Sequence, residues 1–350
     1  MVPVLINRGI VAELLFTLDA QGMEGMEAIP SHHLPLPAAR KGKSLPRYPA
    51  ALLRLTAFLK ERRPDVVHLN ELDEIIFFVL AARMAGGIPV VATARSFLKS
   101  SRRFRKLWAH RLSRLVCVSE AGRRQATEGG VAPDRILVVH DPPDVRWGEW
   151  PAEDARTRWR ETLRVPASVP VIGTVGNLSP VKGTDVLIEA LPFVVSRFPE
   201  VRCVFVGADD RRWVTELTSR AETLGVARNI VFTGSLPDPR PVVSLMDVFV
   251  LPSRLEGYGL ALLEAMSYER PVVASRIGGI MDIIGNDEVG VLVPVEHPGE
   301  LGKAVADLLA DPVRRKRLAA AGARRAREDF GVAGVMKLCE MYRELAGGKA

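Results

Sequence analysis

Between residues 170 and 293, short apolar runs alternate with longer segments of helical periodicity, and this alternation leaves few folds open. The runs are Val171–Val175, Val201–Val206, Ile230–Thr233, Val248–Leu251, Val272–Ala274 and Gly290–Val293. They are rich in Val, Ile and Phe and too short for helices, which marks strands buried on both faces. The segments between them, such as Thr184–Arg197 and Trp213–Leu224, repeat their apolar residues at helical spacing. A βαβα order of this kind predicts a parallel, doubly wound sheet with helices on both faces.

The first half reads the same way with a weaker signal. Val2–Ile6, Val66–Leu69, Val90–Thr93, Leu115–Val118 and Ile136–Val139 are expected strands, and Leu45–Arg62, Ile75–Ala85 and Phe97–Ser113 expected helices. A Pro- and Trp-rich stretch over 146–168 is expected to link two domains, and late helices are expected at Pro298–Ala310, Pro312–Arg327 and Val332–Leu345. The 350-residue length suits two domains.

Charge is unevenly spread. Residues 1–150 carry 22 Lys/Arg against 15 Asp/Glu, whereas residues 151–350 carry 26 of each. The excess concentrates in residues 97–114, where Arg102, Arg103, Arg105, Lys106 and Arg111 interleave with Phe97, Phe104, Trp108 and Leu112. Two readings fit: an interfacial helix on anionic lipid, or a core-facing helix with a basic outer face. No recognised motif accompanies the charge, so nucleic acid is not an expected partner. The three cysteines are far apart without metal-type spacing, and Cys117 and Cys203 sit in apolar runs, which fits buried thiols in a reducing compartment. No apolar run reaches the roughly 18 residues of a membrane span. A cytoplasmic protein is expected, with a peripheral seat on the inner membrane face if 97–114 meets lipid.

In open parallel sheets ligands bind beyond the carboxyl ends of the strands, near the reversal in strand order. The residues just after the expected strands are therefore the candidate site: Gly176-Asn177, Gly207-Ala208-Asp209, Gly234-Ser235-Leu236, and Pro252-Ser253 leading to Glu256. Each could be plain turn chemistry; together they suggest a pocket. The sharpest signal is Glu256-Gly257-Tyr258-Gly259-Leu260 running to Glu264. Backbone amides at that helix start form an anion site suited to a diphosphate. Two carboxylates beside such a ligand make sense as acceptors from neutral hydroxyls, although Glu256 at a helix start and Glu264 in solvent would also be ordinary. Lys182, before the first helix of this half, could reach a phosphate. Its Lys-Gly order is not that of a Walker loop. There is no H-x-E, C-x-x-C or D-x-D, and His32-His33 reads as an isolated pair in a Pro-rich loop, so no metal site and no cofactor are expected.

These motifs resemble those of retaining, family-4-type glycosyltransferases of the GT-B fold. The resemblance is clear over Pro170–Asp311 and weaker over Pro64–Asp144. It rests on Glu256 and Glu264 with seven residues between them, on Pro271-Val272-Val273-Ala274, Gly278-Gly279-Ile280, Lys182-Gly183 and Val206-Gly207. It implies two Rossmann-like domains facing across a cleft, an acceptor-side domain over 1–145, a nucleotide-sugar-binding domain over 169–328, and a final segment, 329–350, packing back on the first. Glu256 would face the donor sugar and Glu264 the ribose. Lys182 with the amides around Gly257–Gly259 would hold the diphosphate, and the region Gly234–Pro237 would lie near the base. The implied reaction moves a hexosyl unit from a nucleoside-diphosphate sugar to a saccharide or lipid-linked acceptor, with retained anomeric configuration and without metal. Three departures accompany it. Asn177 stands where the family commonly has Arg, and Arg95 where an acceptor-side His is common. Val2–Ile6 matches the family's second strand, so the first strand and its glycine-rich loop are expected to be missing. The departures keep a second reading open, a catalytically impaired nucleotide-sugar-binding or regulatory relative. A nucleotide-sugar epimerase is disfavoured because no motif places its catalytic groups.

Overall fold

The computed structural model describes residues 6, 9–16, 29–34, 48–70, 72, 75–95, 111–143, 153–208, 211–331 and 333–347. The chain divides into two compact units, residues 1–142 with 332–350, and residues 143–331.

In the first unit, β1 (Leu14–Phe16) and β2 (Ser31–His33) form a parallel pair. There follow α1 (Tyr48–Arg62), β3 (Val67–Leu69), α2 (Ile75–Met84), β4 (Val90–Ala94), β5 (Arg114–Cys117), α3 (Glu120–Glu128) and β6 (Ile136–Val138). Strands β3 to β6 make a parallel sheet in sequence order. Because side chains alternate across a strand, each strand divides its residues between two cores. Val90, Ala92, Ala94, Leu115 and Cys117 join one core with α1 and α2. Val91 and Val116 point the other way and pack against the C-terminal helix, Ala333–Leu345, through Val335, Leu338, Cys339 and Met341. His68, flanked by two residues of the first core, reaches the second face, where its ring meets the Tyr342 hydroxyl and Thr93 Oγ1, the latter at 2.7 Å.

The second unit opens with α4 (Glu153–Thr162), inside the stretch expected to be a linker; Leu163 and Val165 behind it are buried. Then come β7 (Val171–Val175), α5 (Thr184–Val195), β8 (Arg202–Val206), α6 (Arg211–Thr223), β9 (Ile230–Gly234), α7 (Arg240–Leu245), β10 (Val248–Leu251), α8 (Leu260–Ser267), β11 (Val272–Ser275), α9 (Gly278–Ile284), β12 (Val291–Val293), α10 (Pro298–Ala310) and α11 (Pro312–Glu328). All six strands run parallel in the order β9-β8-β7-β10-β11-β12. The order reverses between β7 and β10, the doubly wound arrangement. Ile172, Cys203, Phe205, Val248, Val250 and Val273 face α5, α6 and α10. Val171, Val204, Phe249 and Val272, one residue out of phase with them, are equally buried on the opposite face. Burial on both faces is why these strands read as unbroken apolar runs.

Two sequence expectations need correction. His32 and His33 lie in β2 rather than in a loop, and His32 Nε2 is 2.9 Å from Glu13 Oε2. The helix expected through Ser113 does not cover residues 111–113, which are non-helical, with Leu112 buried. The rest of the basic stretch, and residues 2–5 of the expected first strand, lie outside the described residues.

Candidate functional site

Since all strands of the second unit are parallel, the turns after them line one edge of the sheet. Hydrogen bonds knit those turns together. Gly176 N donates to Val206 O, Leu178 N to Ala208 O and Gly207 N to Gly234 O, all within 3.0 Å. Gly207 lies so close to the preceding turn that a Cβ there would be 2.0 Å from Gly176 O. The expected site residues Gly176, Asn177, Gly207, Gly234, Ser235 and Leu236 therefore do lie together at the carboxyl ends of β7, β8 and β9, with Asn177 and Ser235 exposed.

The reversal of strand order brings the β7 and β10 turns face to face. After β7 a short 3₁₀ turn, Pro180–Lys182, ends at Gly183, whose φ of +64° is left-handed. A Cβ on Gly183 would sit 2.0 Å from Pro252 O, so the close approach of the two turns demands glycine. Arg254 N donates to Val181 O at 2.9 Å. Lys182 Nζ then donates to Glu256 Oε2 at 2.7 Å, and the buried Ser253 hydroxyl donates to the same oxygen at 3.3 Å. Two residues 74 apart in sequence thus form one half-buried ion pair at the switch point.

Downstream, Gly259 begins α8 as its N-cap, and the first-turn amides of Leu260 and Ala261 have no backbone acceptor, as at any helix start. The buried Tyr258 packs its ring against Phe330, with centroids 6.4 Å apart. Glu264 lies about one turn into α8, on a separate element from Glu256. Among the described residues no group of three or more His, Cys, Asp or Glu is placed to hold a metal.

The sequence missed Arg254. Its guanidinium donates to Asp185 Oδ1 and Oδ2 at 2.8 and 2.9 Å, to Glu296 Oε1 at 2.8 Å and to Pro180 O at 2.6 Å. Burial alone would raise the Asp185 carboxyl, but the Arg254 fork outweighs it and holds the group below the usual carboxylate range. The only sequence signal was an arginine two residues before Glu256 and an acid two residues after Gly183.

In the first unit, Arg95 follows β4 and donates to Asp141 Oδ2, after β6, at 2.7 Å. Burial raises the Asp141 carboxyl and Arg95 opposes that rise.

Comparison with known proteins identifies this architecture. A family model described as glycosyl transferases group 1 matches residues 155–325, and one described as Glycosyltransferase Family 4 matches residues 4–147. The GDP-mannose-dependent alpha-(1-6)-phosphatidylinositol monomannoside mannosyltransferase of Mycolicibacterium smegmatis is 30% identical over 309 residues, 81% of this chain and 80% of that one. A glycosyltransferase from Rickettsia africae superposes with a TM-score of 0.88 at 19% identity, covering 97% of this chain and 91% of that one. Anabaena HepE, solved with UDP and glucose, does so with 0.84 at 21% identity, covering 95% and 92%. The shared fold is GT-B, two α/β domains each built on a parallel sheet. With both family models matched in succession and a relative aligned over four-fifths of its length, the chain belongs to the family-4-like group 1 glycosyltransferases.

Proposed function

We propose that this glycosyltransferase moves a hexosyl unit, with GDP-mannose as the first donor to try, onto a hydroxyl of a saccharide or lipid-linked acceptor. The product keeps the anomeric configuration of the donor, and no metal takes part. The observation that carries the reading is the Lys182–Glu256 pair at the reversal of strand order, beside the start of α8. In the transfer the bond from the anomeric carbon to the diphosphate breaks and a bond to the acceptor oxygen forms. The acceptor's proton is released, and the diphosphate leaves with added negative charge. Lys182 and the amides of Leu260 and Ala261 supply the positive potential that this charge needs. Glu256 accepts hydrogen bonds from sugar hydroxyls, and Glu264 from the ribose.

Support for donor and acceptor comes from relatives. The Mycolicibacterium protein is named for GDP-mannose and an inositol-lipid acceptor, and the Anabaena protein was solved with UDP and glucose. The basic stretch 97–114 suits an acceptor displayed on an anionic membrane surface facing the cytoplasm. Co-sedimentation with anionic vesicles that weakens with salt tests that part.

The central test incubates the protein with GDP-mannose or UDP-glucose and a phosphatidylinositol mannoside, with and without EDTA, and reads the product's anomeric coupling by NMR. Transfer that resists EDTA and retains configuration is expected. Inversion, or activity abolished by EDTA and restored by a divalent cation, overturns the mechanism. Nucleotide-sugar binding without turnover across a wider acceptor panel would reassign the chain as a donor-binding relative.

A further inference from the structure

We propose that Arg254 is a positioning residue for the donor-side pair: by clasping Asp185 it fixes the separation of Lys182 and Glu256. The inference rests on the role given above to that pair and adds a residue whose side chain need not touch the donor. Arg254 lies two residues before Glu256 on the β10 turn, and Asp185 three residues after Lys182 on the first turn of α5.

The anchor is firm. Asp185 has a side-chain exposure of only 8%, and α5 is buried along most of its length. The Arg254 fork meets both carboxylate oxygens, the bidentate geometry that fixes direction as well as distance. The same guanidinium reaches Pro180 O, at the start of the turn carrying Lys182, and the Arg254 amide bonds Val181 O in that turn. Arg254 therefore grips the β7 turn on both sides of Lys182. Glu296, more exposed, completes its partners. Among the described residues Arg220 also lies near Asp185, 3.4 Å away and bound more closely to Glu189.

Without the fork, the Val181 hydrogen bond is too loose a tie to hold Lys182 Nζ within reach of Glu256 Oε2, and the turns would drift further whenever Lys182 turns to a phosphate. The fork keeps the two turns in register while the pair opens. Lysine cannot replace it, because an ammonium is a point charge without the planar pair of donors.

The test uses the full chain and the variants Arg254→Lys, Arg254→Ala and Asp185→Asn, each checked for folding by its melting profile. In crystals of Arg254→Lys, Lys182 Nζ is expected to stand beyond hydrogen-bond reach of Glu256. A pair that stays intact in that crystal overturns the proposal whether or not the protein transfers sugar. On the wild type's own donor, Arg254→Lys is expected to lower kcat on the order of 10²-fold, the cost of a small misplacement of reacting groups, with a smaller change in donor KM. Combined with Lys182→Ala, the Arg254 loss should largely vanish, since both changes act through one group. Losses that multiply instead would assign Arg254 to general stability and end the proposal. If Arg254→Ala does not fold, Asp185→Asn with Arg254→Lys carries the same cycle. An inactive wild type would defeat the proposed function, while the crystal still decides the placement.

Discussion

Lys182 Nζ sits 2.7 Å from Glu256 Oε2, joining the turn after β7 to the turn after β10. In the proposed transfer, a diphosphate would compete for this ammonium and a sugar hydroxyl for this carboxylate. Lys182→Ala should then lower kcat by about 10² to 10³-fold, the usual cost of removing one group that stabilises developing negative charge. Glu256→Gln keeps the shape but offers one acceptor oxygen in place of two, and it should lose transfer while the melting temperature barely changes. Steady-state kinetics beside calorimetric binding of the nucleoside diphosphate separate the two effects. Wild-type turnover by Glu256→Gln would remove that carboxylate from the mechanism.

Gly183 offers a sterner test of the same geometry. A methyl group there must meet Pro252 O at 2.0 Å, on a backbone already at a φ of +64°. Gly183→Ala should destabilise the second unit by roughly 2 kcal/mol or more, combining left-handed strain with displacement of a neighbouring backbone. Urea titration reads the loss, and transfer should fall with it because Lys182 is the adjacent residue. A variant of unchanged midpoint would mean that the two turns are less tightly apposed than this structure has them.

How much of this was visible in the sequence depends on what each residue buries. Strands such as Val171–Val175 and Val248–Leu251 were legible because every residue meets a packed face, leaving an apolar run with turns at both ends. Switch-point loops were legible as glycines and serines directly after those runs. Strand β2 was not, since Ser31, His32 and His33 are polar and only pairing with Leu14–Phe16 makes them a strand. Helix α4 was hidden by its charged sequence, and its pattern was read as connecting chain. Most telling is Arg254 with Asp185, 69 residues apart. Neither has a neighbour in sequence that announces the other, and only the reversal of strand order brings them together.

Arg325, on α11, presents a separate stability test. Its Nε donates to Ile283 O at 2.6 Å and its Nη2 to Asp282 O at 2.9 Å, at the end of α9. The last carbonyls of a helix lack partners of their own, so this guanidinium caps them. Its planar group also lies 5.5 Å from the Phe330 ring centroid. Arg325→Met keeps some of the packing and loses the charged hydrogen bonds, and should cost about 2 kcal/mol. Hydrogen exchange should show the loss first as faster exchange of the α9 amides, ahead of the strands.

The last prediction concerns acid stability of the first unit. His68 is half-buried beside Thr93 and Tyr342, and loss of hydration first, with Arg95 second, lowers its pKa from the ordinary 6.5 to about 4. The folded state therefore keeps the imidazole neutral at pH values where the unfolded chain has already taken up a proton. Between about pH 6.5 and 4 the unfolded state binds more protons, so stability falls as the pH is lowered through that window and is fully present above it. At about 1.4 kcal/mol per pH unit the full loss is roughly 3 kcal/mol. Denaturant midpoints of the first unit, followed from pH 7.5 to about 4 in the wild type and in His68→Gln, read this directly. The glutamine variant begins less stable at neutral pH, having lost ring contacts, but its midpoint should decline less steeply with acid. Parallel pH profiles for the two proteins would show that His68 takes up its proton as readily in the folded chain as in the unfolded one.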